Sequence, residues 1–217
     1  MNMVGRKALY VDTNLLVYAH AYTCRGSNAP DHPVFEKGAL FEDCLDLCGE
    51  KGIRVFTSWF TFLELQNIHV GSEKRRYWLV ELRLPGTIVF GRSEYRLQLE
   101  KKGAIPAAAM QVLREGIDGW LRDWPFREVV EFAYPKDSRW AELARTIMRY
   151  TEVSPSDCLH LAAAMDIECD YFMTEDSGLR RVLAELARDV DFRGEVRSMN
   201  LSGVPRATKV KTFPTAV

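Results

Sequence analysis

The chain contains no apolar run of about 18 or more residues, so the sequence predicts no membrane-spanning helix. It also lacks an excess of charge of either sign: 29 Lys and Arg against 30 Asp and Glu leave a net charge of −1. A nucleic-acid binder usually carries a basic footprint, so any such footprint here must be local. No glycine-rich phosphate loop and no Gly-x-Ser-x-Gly elbow occurs. Only 4 histidines are present, and His20, His32 and His69 stand alone. Cys44 and Cys48 share a helix face, but no second pair stands nearby to complete a metal site, which favours two buried thiols. The cysteines at 24, 44, 48, 158 and 169 are odd in number and scattered, as expected of reduced thiols. Arg6-Lys7 leads straight into a strand, without the apolar stretch of a signal peptide. A cytoplasmic protein is the expectation.

What is present is enough apolar material, 47% of residues, for one sizeable core. The length and the pattern of elements predict a single domain. Strands are expected at 8–12, 53–57, 128–133, 170–174 and 194–200. Helices are expected near 14–20, 35–50, 59–69, 137–150, 155–167 and 177–188. Alternation of this kind calls for a parallel sheet covered on both faces, a three-layer α/β/α sandwich.

Four acidic residues occupy related places in that pattern. The run Leu9-Tyr10-Val11 ends in Asp12, followed by Thr13 and Asn14. Ligands of open α/β sheets gather outside the carboxyl ends of strands, although a strand-ending Asp is also a good helix N-cap. Glu64 lies on the helix after Arg54-Val55-Phe56-Thr57-Ser58, at the edge of the stripe made by Phe60, Leu63 and Ile68. A solvated helix face would account for it equally. Ser154-Pro155-Ser156-Asp157 opens a helix, where Asp157 is favoured by the macrodipole. The helix behind it, Cys158 to Met165, is almost wholly apolar or small, so a carboxylate there needs a partner. Asp176 follows the strand Asp170-Tyr171-Phe172-Met173-Thr174 in the turn Glu175-Asp176-Ser177-Gly178, a common place for Asp. Converging carboxylates repel one another unless a cation joins them. Hard oxygen ligands select Mg²⁺ or Mn²⁺, which activates water and clamps phosphodiester oxygens. His160, three residues beyond Asp157, reads as a core or capping histidine that could also assist the site.

At these residues the sequence resembles the PIN-domain family of metal-dependent nucleases. The matching segments are Tyr10-Val11-Asp12-Thr13-Asn14, Thr57-Ser58 with Glu64, Ser154-Pro155-Ser156-Asp157-Cys158-Leu159-His160-Leu161-Ala162, and Cys169-Asp170-Tyr171-Phe172-Met173-Thr174-Glu175-Asp176. The resemblance covers roughly residues 7–70 and 128–202. It implies a flavodoxin-like α/β/α fold and a Mg²⁺ or Mn²⁺ site made by Asp12, Glu64, Asp157 and Asp176. It further implies cleavage of single-stranded RNA, with Thr13 and Asn14 supporting the first ligand. Many relatives are the toxin half of toxin–antitoxin pairs, so an antitoxin protein is an implied partner.

The chain of 217 residues exceeds a minimal PIN domain, mainly through residues 71–127. That insert reads as helical around 76–82 and 107–113, and is expected to form an arm or cap rather than an independent domain. Its Trp78, Leu79, Leu82 and Leu113 are expected to pack on the main domain or on a second copy, giving a homodimer. Local basic clusters are Lys74-Arg75-Arg76, Lys101-Lys102, Arg180-Arg181 and a tail at 202–217 with Arg206, Lys209 and Lys211. Arg180 and Arg181 follow Asp176 by four and five residues and are the candidates for an RNA phosphate. Two other readings compete: a PIN-like binding or scaffold module with little cleavage, and a phosphatase using Asp12 as nucleophile. The second would want another Asp where Asn14 stands.

Overall fold

The computed structural model describes residues 7–25, 33–68, 107–135 and 137–213. The chain divides into two compact units, Met1–Phe62 with Pro125–Val217, and Leu63–Trp124.

The first unit is built on a five-stranded, all-parallel sheet. Its elements run β1 (Ala8–Val11), α1 (Thr13–Arg25), α2 (Pro33–Lys51), β2 (Arg54–Ser58) and the start of α3 (59–68). They continue with β3 (Val130–Ala133), α5 (Arg139–Tyr150), α6 (Pro155–Asp166), β4 (Tyr171–Met173), α7 (Ser177–Leu186), α8 (Val190–Ser198) and β5 (Arg206–Thr208). A short 3-10 turn, Val210–Thr212, follows. In the second unit, α4 spans Ala107–Asp123.

Period-2 alternation decides the two faces of the sheet. Ala8, Tyr10, Phe56 and Phe172 share one core cluster with apolar residues of α5, α6, α7 and α8. The intervening Leu9, Val11, Val55 and Met173 are equally buried and point to the opposite face. There α2 packs on β2 and on α1. The result is the expected three-layer α/β/α sandwich. At the α1–α2 crossing Gly38 allows the close approach: a Cβ there would lie 2.6 Å from the Tyr18 carbonyl and 2.6 Å from the Tyr22 Cβ.

The strand order is β3-β2-β1-β4-β5. It shares the parallel, doubly wound plan of flavodoxin, but places the reversal of direction between β1 and β4 rather than giving the 2-1-3-4-5 order. A crevice at the carboxyl ends of β1 and β4 is the ligand position that such a sheet provides.

Two expectations need correction. Residues 194–200 do not form a strand: α8 spans Val190–Ser198. Asp189 caps that helix, its carboxylate accepting from the Phe192 N–H at 2.8 Å. Phe192 and Val196, one turn apart, are buried on one face. The outer strand lies instead at Arg206–Thr208, inside the segment expected to be a basic tail. That segment is anchored because Leu201, Val210 and Phe213 are buried, and Phe213 meets the Tyr171 ring edge-on at 5.7 Å. Lys211 is paired with Glu36 at 2.7 Å.

In the second unit, Leu65, Ile117 and Trp124 are buried, and Gln66 donates to Asp118 at 3.0 Å. Trp120 and Trp124 stack at 5.2 Å. The helix expected around 107–113 is the start of α4. Trp78, Leu79, Leu82, Lys74-Arg75-Arg76 and Lys101-Lys102 lie outside the described residues, as does the side chain of Leu113. No described helix is long and apolar enough to cross a membrane. Cys44, Cys48, Cys158 and Cys169 are free and buried, in line with the expectation of buried thiols at Cys44 and Cys48.

Candidate functional site

The parallel ladder continues one residue past the strands and sets two polar side chains next to each other. The Asp12 N–H donates to the Met173 carbonyl at 3.1 Å, and the Thr174 N–H donates to the Thr208 carbonyl at 3.1 Å. Asp12 therefore directly follows β1 and Thr174 directly follows β4, at the reversal point of the sheet.

Asp12 is only 6% exposed. Its carboxylate is held in one orientation by three donors. Oδ1 accepts from the Thr13 N–H at 2.8 Å. Oδ2 accepts from Asn14 Nδ2 at 2.7 Å and from Thr174 Oγ1 at 2.6 Å. Burial raises the Asp12 pKa above its ordinary value of 3.8, and the nearby charge of Asp157 adds to the rise. His160 and the hydrogen bonds from Thr174 and the Thr13 N–H oppose it. A buried acid with a carboxylate neighbour and a raised pKa, lying in a crevice, is a candidate functional group.

Asn14 adds a second sign. Its amide nitrogen serves Asp12 and lies 3.3 Å from Thr174 Oγ1. Its carbonyl oxygen, Oδ1, is buried and has no hydrogen-bond partner among the described residues. An orphaned buried acceptor calls for a donor or a cation.

Beneath these groups lies a polar hub that sequence spacing did not reveal. His160, on α6, is 1% exposed. Its Nδ1 is 2.8 Å from the Tyr10 hydroxyl and 3.5 Å from Ser58 Oγ, and its Nε2 is 3.3 Å from Thr13 Oγ1. Phe60 and Tyr10 present their rings edge-on to the imidazole at 5.6 and 6.0 Å. Burial drives the Tyr10 phenol well above its ordinary pKa, so it stays a neutral hydroxyl. Four elements thus meet on one ring: β1 through Tyr10, α1 through Thr13, β2 through Ser58 and α3 through Phe60. The expectation of a core histidine holds, and the same ring borders the acidic crevice through Thr13.

The other three acids are placed differently. Asp157 is half-buried in the first turn of α6. Its N–H donates to Ser154 Oγ at 3.1 Å, and the Ser154 hydroxyl donates back to Asp157 Oδ2 at 2.8 Å. Ser154 thereby caps the helix and aims the carboxylate. Asp176 is exposed at the N-cap of α7, where Oδ1 accepts from the Leu179 N–H at 2.9 Å. Its own N–H donates to Thr174 Oγ1 at 3.0 Å, tying it to the same threonine that holds Asp12. Glu64 is half-buried on α3 and belongs to the second unit. Among the described residues, no group of three or more His, Cys, Asp and Glu side chains stands close enough to hold a metal ion.

Of the two arginines, Arg180 is the better placed. Its Nη1 donates to the Thr174 carbonyl at 2.9 Å, and no ion pair to Asp176 is formed among the described contacts. Four of the five guanidinium donors are not used in that bond. Arg181 is exposed, with Glu185 at 3.8 Å.

Sequence reasoning missed Thr174 and Tyr10. A threonine ending a strand is ordinary β-sheet composition, and only the strand pairing shows that it faces Asp12. No protein-family model matches the chain, and no curated protein matches it either. Fold and crevice define a doubly wound parallel α/β protein with a buried carboxylate at its switch point.

Proposed function

We propose that the protein is a PIN-like, divalent-metal-dependent phosphodiesterase that cleaves single-stranded RNA. The observation that carries this reading is the buried Asp12 carboxylate beside the orphaned Asn14 carbonyl at the carboxyl ends of β1 and β4. The donor set fits Mg²⁺ or Mn²⁺, because every candidate atom is a hard oxygen. Mg²⁺ usually takes one or two carboxylates together with waters and substrate phosphates, not a closed protein cage. Asp12 with Asp157 would be such a pair, and Asp176 would stand at the exposed rim. Bound there, the ion supplies Lewis acidity toward phosphate oxygens and makes water a stronger acid.

The chain's own residues do the positioning. Thr13, Asn14 and Thr174 fix Asp12 so that the free lone pair on Oδ1 has one direction. Ser154 fixes Asp157 in the same way. Arg180, anchored by the Thr174 carbonyl, offers its remaining donors to a phosphate oxygen. The choice of RNA rests on the family resemblance.

The test is incubation of the protein with a panel of unstructured RNAs in Mg²⁺, in Mn²⁺ and in chelator. Cleavage in either metal and none in chelator is the expected result. Intact RNA under all conditions would favour the binding-module reading. In the inactive Asp12→Asn background, Arg180→Ala should weaken RNA binding for every sequence and lower the slope of affinity against salt by about one. An unchanged slope would assign Arg180 to holding the end of β4 alone.

A further inference from the structure

A polar cleft of about 770 Å³ opens between the C-terminal end of α5 with the loop after it and one face of α7. One end of it adjoins the acidic crevice. Its lining residue Val153 precedes Ser154, whose hydroxyl holds Asp157. Its lining residue Gly178 lies against Asp176, with a Cβ position 3.1 Å from Asp176 Oδ1. A strand whose phosphate lay between Asp12 and Asp176 would carry its neighbouring nucleotide toward this cleft.

The lining suits a base better than a phosphate. Met148, Val153 and Val182 supply apolar wall, and Met148 is 48% exposed. The polar groups are of both signs: Arg181, Glu152 and Glu185, with Arg149 already committed to Glu195 and Thr146. Two carboxylates would repel a phosphate, but carboxylates accept the amino protons of bases. Arg181 makes no hydrogen bond among the described contacts, since Glu185 at 3.8 Å is beyond hydrogen-bonding range. Its exposed guanidinium pairs loosely with Glu185 and leaves a planar face open, the kind of surface that stacks on unpaired bases in single-stranded RNA.

We infer that this cleft is a base-recognition subsite for one unpaired nucleotide next to the scissile phosphate, selecting bases that carry an exocyclic amino group over uracil. The inference rests on the ribonuclease reading for its position in the substrate, though not for the binding itself. Glu152 and Glu185 accept from the amino group, and Arg181 covers the ring. Uracil places the O4 acceptor where cytosine carries its amino donor, so that position faces the carboxylates with the wrong sign.

The test compares oligocytidylate with oligouridylate, two pyrimidines, bound to the wild-type protein in chelator. Cytosine should bind about tenfold tighter than uracil, the size of one specific base contact. Glu152→Gln with Glu185→Gln should bring the ratio near one, because an amide reads either pattern. Arg181→Ala should weaken both oligonucleotides. Equal affinities in the wild type, or a ratio unchanged in the double variant, overturn the subsite. Mapping cleavage sites in Mg²⁺ separates the two claims. Metal-dependent cleavage without base preference keeps the nuclease and removes the subsite. A cytosine preference in binding without any cleavage keeps the subsite and removes the nuclease.

Discussion

Asp12→Asn is expected to lower divalent-metal-dependent RNA cleavage by about a thousandfold or more, the several kcal/mol that a metal contributes to phosphoryl chemistry. The fold should survive. An amide at this position presents N–H₂ where the carboxylate presents an acceptor, and would face the Asn14 amide nitrogen. The Asn14 amide can turn over and offer Oδ1, the oxygen that has no partner in the wild type. The Thr174 hydroxyl can rotate to accept. The substitution also removes a buried charge. The folded-state pKa of Asp12 lies above 3.8, so ionising it costs stability. That cost is fully present above the folded pKa and is relieved as the pH falls through the window toward 3.8 and below. In chelator, the gain in Tm of Asp12→Asn over wild type should therefore be largest near neutrality and shrink toward acid pH. A variant that retains cleavage, or a gain that grows on acidification, would remove Asp12 from the centre of the site.

The second large effect is on stability. His160→Ala should cost about 3 kcal/mol, from a cavity and from hydrogen bonds lost by buried hydroxyls. The Tyr10, Thr13 and Ser58 hydroxyls all lie against this ring, and Tyr10 and Ser58 are fully buried. For a chain of this size that corresponds to a Tm lower by roughly 6–12 °C. His160→Gln, which can restore one of the two hydrogen-bonding directions, should recover part of the loss. A Tm within about 2 °C of wild type for His160→Ala would mean that water replaces the imidazole at little cost.

Strands β1 to β4 and most helices were legible because each carries a local pattern: continuous apolar runs in β1 and β4, a Val-Phe pair in β2, and a Ser-Pro start for α6. The outer strand was not. β5 has three residues in a polar stretch, with one sheet neighbour and too little length for periodicity. Residues around Val196 are helical because the Asp189 cap and the buried Phe192–Val196 spacing act together, and neither is a strong signal alone. At the site, Asp12 could be read from a strand ending in a carboxylate, and Thr13 and Asn14 from its immediate neighbours. Thr174 could not, since it reaches Asp12 across 162 residues of sequence. The Tyr10–His160 contact spans 150 residues and is set by sheet order, which local spacing does not encode. The division of the chain inside α3 was hidden for a simpler reason, because the helix runs on through it.

The most direct measurement is calorimetric titration of Mn²⁺ into the wild-type protein and into Asp12→Asn at neutral pH, without RNA. The expected result is saturable binding to the wild type that is lost in the variant. Equal binding by the two proteins, or none by the wild type, would contradict a metal site centred on Asp12.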